Sequence, residues 1–522
     1  DDYAVLNLGE GTDTATFTRA YSDIAVRWTG LIKGPADGEV TFYAYHDDGS
    51  RMKIDGATVF DNWVSSGASE QHAYNSSGSF TMQAGKLYPF ELEMFENDGS
   101  DRMRLDWSYS GQPMTTIPNE NFFTLEGDAA VGISVEGSGG NDTIHGYHGS
   151  DTLDGGDGDD VLKGNKGNDT ISGGKGEDQL FGGDHDDIIS GDAGADTIYG
   201  DAGNDDIRGG SEADVVYGGS GNDFLSGGDD DDTLYGGTGS DNITGGEGND
   251  TITGAAGYDV IDGGLGAGDV AVYAGKQSDY TFASSSDGQT VTVTDIETGD
   301  ADTVTGVETL RFSDHDISVS SDANGLVLTG TTNADTISVV GDYPVTVKGT
   351  DGTDVIEGGS ANDLLLGADG DDTIDGNLGN DTIEGGNQND TIDGGTGDDT
   401  LKGGPGNDII TGGPGDDTII GEAGSDVAVF AGNQSGYAIK SEGDGITITV
   451  TDLGTSDEDT LTGIQILRFD DGDITVSWDA NDTTRLVLTG STDADNIKVA
   501  GQYPVTVIGS DGSDSIEGGS GA

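Results

Sequence analysis

Residues 155–172 read Gly155-Gly-Asp-Gly-Asp-Asp-Val-Leu-Lys163 and then Gly164-Asn-Lys-Gly-Asn-Asp-Thr-Ile-Ser172, one nine-residue phrase written twice. Each copy opens on Gly, repeats Gly at its fourth position, sets Asp at its sixth and an aliphatic residue at its eighth. Outward from this pair the register holds without a slip from Gly137 to Asp262, which is 14 units, and returns for nine units from Gly349 to Val429. A third run starts at Gly509.

The eighth position decides what the phrase is for. In the first array it holds Ile144, Leu153, Leu162, Ile171, Leu180, Ile189, Ile198, Ile207, Val216, Leu225, Leu234, Ile243, Ile252 and Ile261. A flexible linker or a disordered acidic tail has no cause to keep an aliphatic side chain every nine residues. The phrase suits instead a tight turn, where Gly tolerates positive φ, followed by a short strand with its central side chain inward. Stacked units then bury a narrow aliphatic ladder.

Stacking also brings like charges together. The sixth-position carboxylates are Asp142, Asp151, Asp160, Asp169, Asp178, Asp187, Asp196, Asp205, Asp214, Asp223, Asp232, Asp241, Asp250 and Asp259, then Asp354, Asp363, Asp372, Asp381, Asp390, Asp399, Asp408, Asp417 and Asp426. In columns about 5 Å apart, each neighbouring pair repels by roughly 0.8 kcal/mol even at water's dielectric constant. A counter-ion is needed, and calcium, a hard cation taking oxygen ligands, suits carboxylates and the carbonyls that Gly-rich turns expose.

The phrase resembles the calcium-binding nonapeptide of the repeats-in-toxin (RTX) family. The resemblance implies a parallel β-roll with two units per coil. It also implies multiple calcium ions, each held by the sixth-position Asp of two units plus main-chain oxygens. Family members leave Gram-negative cells unfolded through a type I secretion channel, so an extracellular or cell-surface location is expected. The chain carries its own support for a period of 18: Phe181, Tyr199, Tyr217 and Tyr235 are spaced by 18, while Ser172, Ser190, Arg208, Ser226 and Thr244 fill the alternate ninth positions. Such a stripe admits two readings, a stacking surface for sugars or a partner, or outward cross-strand packing, and packing is the expectation. At the fourth position His185, Glu212, Asp230, Ala361 and Gln388 replace Gly. A side chain there costs turn strain where φ is positive, and weaker metal binding is expected in those units.

Composition narrows the alternatives. The chain has 522 residues, 32% hydrophobic, with 94 glycines, which fits elongated modules better than one large core. A net charge of −79 argues against nucleic acid and anionic membranes as partners and in favour of cations. The absence of Cys excludes a disulfide framework and cysteine-ligated metals. No apolar run reaches membrane-spanning length and no signal peptide is visible, so direct membrane insertion is not expected. With no initiator Met, the chain is expected to be a piece of a longer polypeptide.

Between the arrays, residues 263–348 shift to alternating strand patterns, and 430–508 repeat them. Asp269-Val-Ala-Val-Tyr273 matches Asp426-Val-Ala-Val-Phe430 at a shift of 157, as Leu310-Arg-Phe312 matches Leu467-Arg-Phe469, and after a three-residue insertion Tyr343-Pro-Val-Thr-Val347 matches Tyr503-Pro-Val-Thr-Val507. Spacer and array are thus a tandem duplication, ending with residues 509–522. Asp302-Thr-Val-Thr-Gly306 is similar to the strand module that closes RTX solenoids in secreted proteases, which implies capping of exposed solenoid ends.

Residues 1–126 hold Trp28, Trp63 and Trp107 and no nonapeptide. Alternation in Val40-Thr-Phe-Tyr-Ala-Tyr45, Phe90-Glu-Leu-Glu-Met94 and Met103-Arg-Leu-Asp-Trp107, with a turn signal at Asp55-Gly56, predicts an antiparallel β-sandwich. The run from Tyr45 to Gly56, with Asp61-Asn-Trp63, Ala84-Gly-Lys-Leu-Tyr88 and Leu105-Asp-Trp107, resembles the protective-antigen-type domain, a lectin in some bacterial adhesins. In the lectin branch two adjacent Asp residues bind calcium, whose open positions take vicinal sugar hydroxyls. The resemblance carries those roles onto Asp47 and Asp48, with Asn97 and Asp98 as the second ligand loop. Trp63 either flanks the sugar or packs in the core.

No HExxH motif, GxSxG elbow or cysteine nucleophile occurs, and His145 and His148 fall on variable repeat positions. The expectation is an all-β, noncatalytic, calcium-binding adhesin segment: a sandwich with glycan specificity, then β-roll solenoids at 137–262 and 349–429 alternating with β-rich spacers. The alternative is a noncatalytic region of a secreted hydrolase or toxin.

Overall fold

A computed structural model describes residues 24–33, 35, 37–45, 49–63, 76–84, 86–96, 104–109, 115–116, 122–123, 134–137, 139–480, 482–509 and 512–518. The described residues are almost entirely strand and turn, in two compact units, 1–270 and 271–522.

In the first unit, two antiparallel sheets precede the repeats. Ala57–Trp63, Gly49–Ile54, Leu87–Glu96 and Ile24–Lys33 lie side by side in one. Ser76–Met82, Gly38–Tyr45, Arg104–Tyr109 and Thr115–Thr116 form the other. Alternation does what it predicts: Val40, Phe42 and Ala44 of one sheet and Met52, Ile54, Phe60 and Leu92 of the other are buried. The Asp55-Gly56 turn has both φ angles positive, 52° and 74°, as a two-residue hairpin requires. The short strand Ser134–Glu136 then pairs antiparallel with Ile24–Lys33 and parallel with Thr152–Asp157, so it joins sandwich and repeats by hydrogen bonds.

From there each nonapeptide supplies one strand, and strands pair in parallel with the strand 18 residues on. Thr152–Asp157, Thr170–Lys175 and Ile188–Ala193 follow one another in one stack, Val161–Lys166, Gln179–Asp184 and Thr197–Ala202 in the other. Two units therefore make one coil. The eighth-position side chains Leu162, Leu180, Ile198, Val216 and Leu234 are completely buried. Each coil has only two such side chains to hold it, so truncating one leaves a cavity little else can fill. Leu225→Ala is expected to cost about 2–5 kcal/mol, read as a lowered thermal midpoint in saturating calcium; an unchanged midpoint would refute the ladder as the core.

The second unit opens on antiparallel hairpins, Tyr280–Ser284 with Val291–Asp295 and Ala301–Thr305, then Thr309–Arg311 with Asp316–Asp322 and Gly325–Thr329. Parallel stacking resumes at Gly325–Thr329 against Val345–Asp351 and at Thr336–Ser338 against Val355–Glu357, ahead of the unbroken nine-residue register. The duplication has a packing counterpart. Tyr273, Tyr280 and Phe312 form a ring cluster with centroids 5.2–5.4 Å apart, and Phe430, Tyr437 and Phe469 repeat it at 5.2–5.4 Å. In the second copy the hairpin Tyr437–Ser441 and Thr447–Asp452 is inserted into a continuing coil, because Glu458–Thr462 pairs in parallel with Thr418–Gly424 and Ile466–Phe469 with Val427–Val429.

Candidate metal centres

The sixth position lies two residues before the buried aliphatic one, and the strand carries it inside as well. All 23 sixth-position aspartates of the two arrays are at most 4% exposed. They form columns with a repeated bond: within each array the backbone N–H of a rung donates to Oδ1 of the Asp 18 residues on, except at the last rungs. Asp160 donates to Asp178 at 2.7 Å, Asp196 to Asp214 at 2.7 Å, Asp223 to Asp241 at 2.8 Å and Asp381 to Asp399 at 2.7 Å.

Oδ2 is left over. In Asp160, Asp178, Asp196, Asp214, Asp232 and Asp250, in Asp169, Asp187, Asp205, Asp223 and Asp241, and in Asp354, Asp372, Asp381, Asp390, Asp399, Asp408, Asp417 and Asp426, this oxygen is buried and meets no protein donor. A buried anionic oxygen without a partner carries the full cost of its lost hydration. Burial accordingly pushes these carboxyls up, to about 8 for Asp187 and Asp214 and about 7 for Asp196, Asp205, Asp232, Asp381, Asp390 and Asp417. The N–H of the preceding rung opposes the rise, and neighbouring aspartates add to it.

First-position glycines show what the spare oxygen points at. A Cβ added to Gly218 would stand 2.6 Å from Asp223 Oδ2 and 2.6 Å from the carbonyl oxygen of Gly236 in the next coil; at Gly200 both distances, to Asp205 Oδ2 and Gly218 O, are 2.5 Å. Gly394 repeats this with Asp399 at 2.5 Å and Gly412 at 2.6 Å. A carboxylate oxygen and a carbonyl oxygen of the next coil thus lie close together beside each of these glycines, where a side chain has no room; both are the hard oxygen donors that calcium takes. Among the described residues no three His, Cys, Asp or Glu side chains cluster as a cage. An ion on the ladder would therefore need main-chain oxygens to complete its ligand set, which suits calcium and not a soft transition metal.

The fourth-position departures divide. His185, Glu212, Asp230 and Gln388 do adopt left-handed φ, from 74° to 88°, whereas Ala361 does not. The strain does not break the columns, since Asp187, Asp214, Asp232 and Asp390 still accept from the rung before at 2.7–2.9 Å. Counting by nine misses four rungs. Asp269 accepts from Asp250 at 2.8 Å, Asp335 donates to Asp354 at 2.9 Å, Asp459 accepts from Asp417 at 3.0 Å, and Asp495 donates to Asp514 at 3.3 Å. Their signal was the pattern of Asp two residues before an apolar residue, as in Asp335-Thr-Ile337 and Asp459-Thr-Leu461.

Phe181, Tyr199, Tyr217 and Tyr235 stack face to face, centroids 4.8–5.0 Å apart and planes within 5°. Lys163 Nζ lies 4.6 Å over the Phe181 ring at the head of the row. The ring faces are thus spent on one another, which is the packing reading. Asp47, Asp48, Asn97 and Asp98 lie outside the described residues.

Comparison with known proteins agrees with both halves. Residues 4–121 match the PA14 domain, and matches to the RTX calcium-binding nonapeptide repeat span 134–270, 348–428 and 489–522. The anti-sigma-I factor RsgI3 of Acetivibrio thermocellus is 32% identical over 120 residues, 23% of this chain and 17% of its own length, so the chain spans under a fifth of that relative. Among solved structures, an anti-sigma factor domain-containing protein from Clostridium clariflavum is 32% identical over 22% of this chain and 36% of its own, with a TM-score of 0.17. A PA14 sugar-binding domain from an RTX adhesin is 23% identical over 19% of this chain and 54% of its own, with a TM-score of 0.17. The chain therefore carries a PA14 domain at its N-terminus and, after it, multiple RTX calcium-binding repeats whose ions are calcium.

Proposed function

We propose that the chain is a noncatalytic adhesin segment, exported unfolded and set rigid outside the cell when calcium fills the aspartate columns. The observation that carries this reading is the row of buried Oδ2 atoms without protein donors, as in Asp160, Asp205, Asp223 and Asp399, which lie beside a glycine carbonyl of the next coil. Those columns are the proposed ligands: the sixth-position aspartates from Asp142 to Asp259 and, Asp363 apart, from Asp354 to Asp426, with main-chain oxygens. For a Kd of about 0.1 mM, millimolar calcium adds roughly 1.4 kcal/mol per site and submicromolar calcium almost nothing. Summed over a column, that difference separates a low-calcium cytosol from a calcium-rich exterior. Among the described residues no helix is long and apolar enough to cross a membrane.

The PA14 domain is the proposed recognition module, taking glycans with vicinal hydroxyls through calcium held by Asp47 and Asp48, with Asn97 and Asp98 beside them. Two described strands support the grouping: Gly49, which follows the first pair, is the register partner of Phe95, two residues before Asn97. Glycan-array binding in calcium is expected to fall to background in Asp47→Ala plus Asp48→Ala. Calcium-dependent binding that survives both changes would remove the site from those residues.

A further inference from the structure

The aspartate columns of the second unit have ends, and the ends are built differently from the middle. One column runs Asp335, Asp354, Asp372, Asp390, Asp408, Asp426, the other Asp363, Asp381, Asp399, Asp417, Asp459. In the middle, Oδ1 is satisfied by a backbone N–H and Oδ2 by nothing in the protein. At Asp335 both oxygens are satisfied. The buried Gln277 donates Nε2 to Oδ1 at 2.9 Å, and Thr331 donates its N–H to Oδ2 at 2.6 Å and its hydroxyl at 3.2 Å. Gln277 is fixed in turn by accepting the Thr336 N–H at 3.0 Å. At Asp363, Val345 donates to Oδ1 at 2.9 Å and Gly359 to Oδ2 at 2.8 Å.

The turn of Asp363 is also the one where Ala361 replaces Gly without a left-handed φ. A Cβ on Gly358 would lie 3.1 Å from Asp363 Oδ2, looser than at the inner rungs; at Gly330 the corresponding distances, to Asp335 Oδ2 and Gly349 O, are 2.5 and 2.8 Å. At the far end, Asp426 donates not to a carboxylate but to Gln465 Oε1 at 2.5 Å, which ends that column on a neutral amide. The other column goes one coil further, through the inserted hairpin, to the buried Asp459. The duplicated spacer repeats part of the first device: Gln434 donates Nε2 to Asp495 Oδ1 at 3.1 Å and accepts the Asn496 N–H at 2.9 Å, while Asp495 Oδ2 stays without a donor.

We propose that Asp335 and Asp363 are closed by protein donors and stand outside the calcium-binding set, whereas Asp459, which no nonapeptide supplies, belongs to it. This rests on the calcium reading of the columns given above. Physically, an amide N–H or a hydroxyl does at the first rung what the cation does inside. The column can then start without an ion exposed on one side and held by half a ligand set.

The test is bound calcium per full chain, by atomic emission after equilibrium dialysis, with circular dichroism alongside. Asp335→Asn and Asp363→Asn are expected to keep the parent's calcium count, Asp459→Asn and Asp381→Asn to lose at least one ion each. Loss of calcium from a folded Asp335→Asn or Asp363→Asn overturns the closed ends, as does an unchanged count in Asp459→Asn while Asp381→Asn loses an ion. An unchanged count in Asp381→Asn would instead bring down the calcium reading itself. If a terminal variant fails to fold, a crystal structure of the parent grown in calcium decides: anomalous density belongs at Asp381 and Asp459, and density at Asp335 or Asp363 refutes the proposal.

Discussion

Stripped of calcium near neutral pH, the repeat arrays are expected to lose most of their β circular-dichroism signal, and to recover it when millimolar calcium returns. The reasoning is a balance of burial against charge. Each coil buries only two aliphatic side chains, such as Leu225 and Leu234, and a residue ordered in a coil costs about 1–2 kcal/mol of backbone entropy. Against so thin a core stand two buried carboxylates per coil, and in rungs such as Asp205, Asp214, Asp223 and Asp232 one oxygen meets no protein donor. Folding without a cation must either leave those charges desolvated or protonate them. On the proposed reading, calcium removes that choice by binding the folded state alone, and its contribution grows with every coil. The transition should therefore be steep in calcium concentration and far weaker with magnesium, which demands stricter geometry and gives up its water reluctantly. A β signal unchanged after exhaustive removal of calcium would refute the folding switch.

Much of this fold was legible because a solenoid writes each contact at a fixed interval. The aromatic spacing of 18 from Phe181 to Tyr235 became stacked rings, and the eighth-position residues became the core. What stayed hidden is where the interval breaks. Asp335 to Asp354 spans 19 residues and Asp417 to Asp459 spans 42, so a strict count of nine stops although the column does not. Strand pairing tolerates an inserted hairpin if the strands on either side keep register, as Thr418 with Thr460 and Ile419 with Leu461 do. Nor could spacing show that Gln277, 58 residues from Asp335, reaches its carboxylate, because that bond depends on how the spacer's hairpins fold back. The strain expected at the fourth position extends to the second, where Asn165, Asp192, Asp201 and Glu422 also take positive φ. Asn and Asp tolerate that region better than most residues, which makes such positions easy to pass over.

Acid should act on the metal-free chain in the opposite sense to its effect on most proteins. Burial raises the ladder carboxyls to about 6 at Asp160, Asp178, Asp241 and Asp250, about 7 at Asp196 and Asp205, and about 8 at Asp187 and Asp214, from an ordinary value of 3.8. With folded-state values above unfolded ones, the folded chain holds more protons, so stability falls as pH rises. The neutral form's advantage is complete below 3.8 and is lost progressively up to the range of about 6 to 8. Chain stripped of calcium and moved into metal-free buffer should therefore gain β signal as pH is lowered from 8 toward 5. Calcium-loaded chain should move the other way, because the ligands must be deprotonated to hold the ion and acid releases it. The two titrations should converge as the proton takes the place of the cation on Oδ2. Metal-free chain that shows no gain in β signal over this interval would mean that buried charge is not what keeps the empty columns apart.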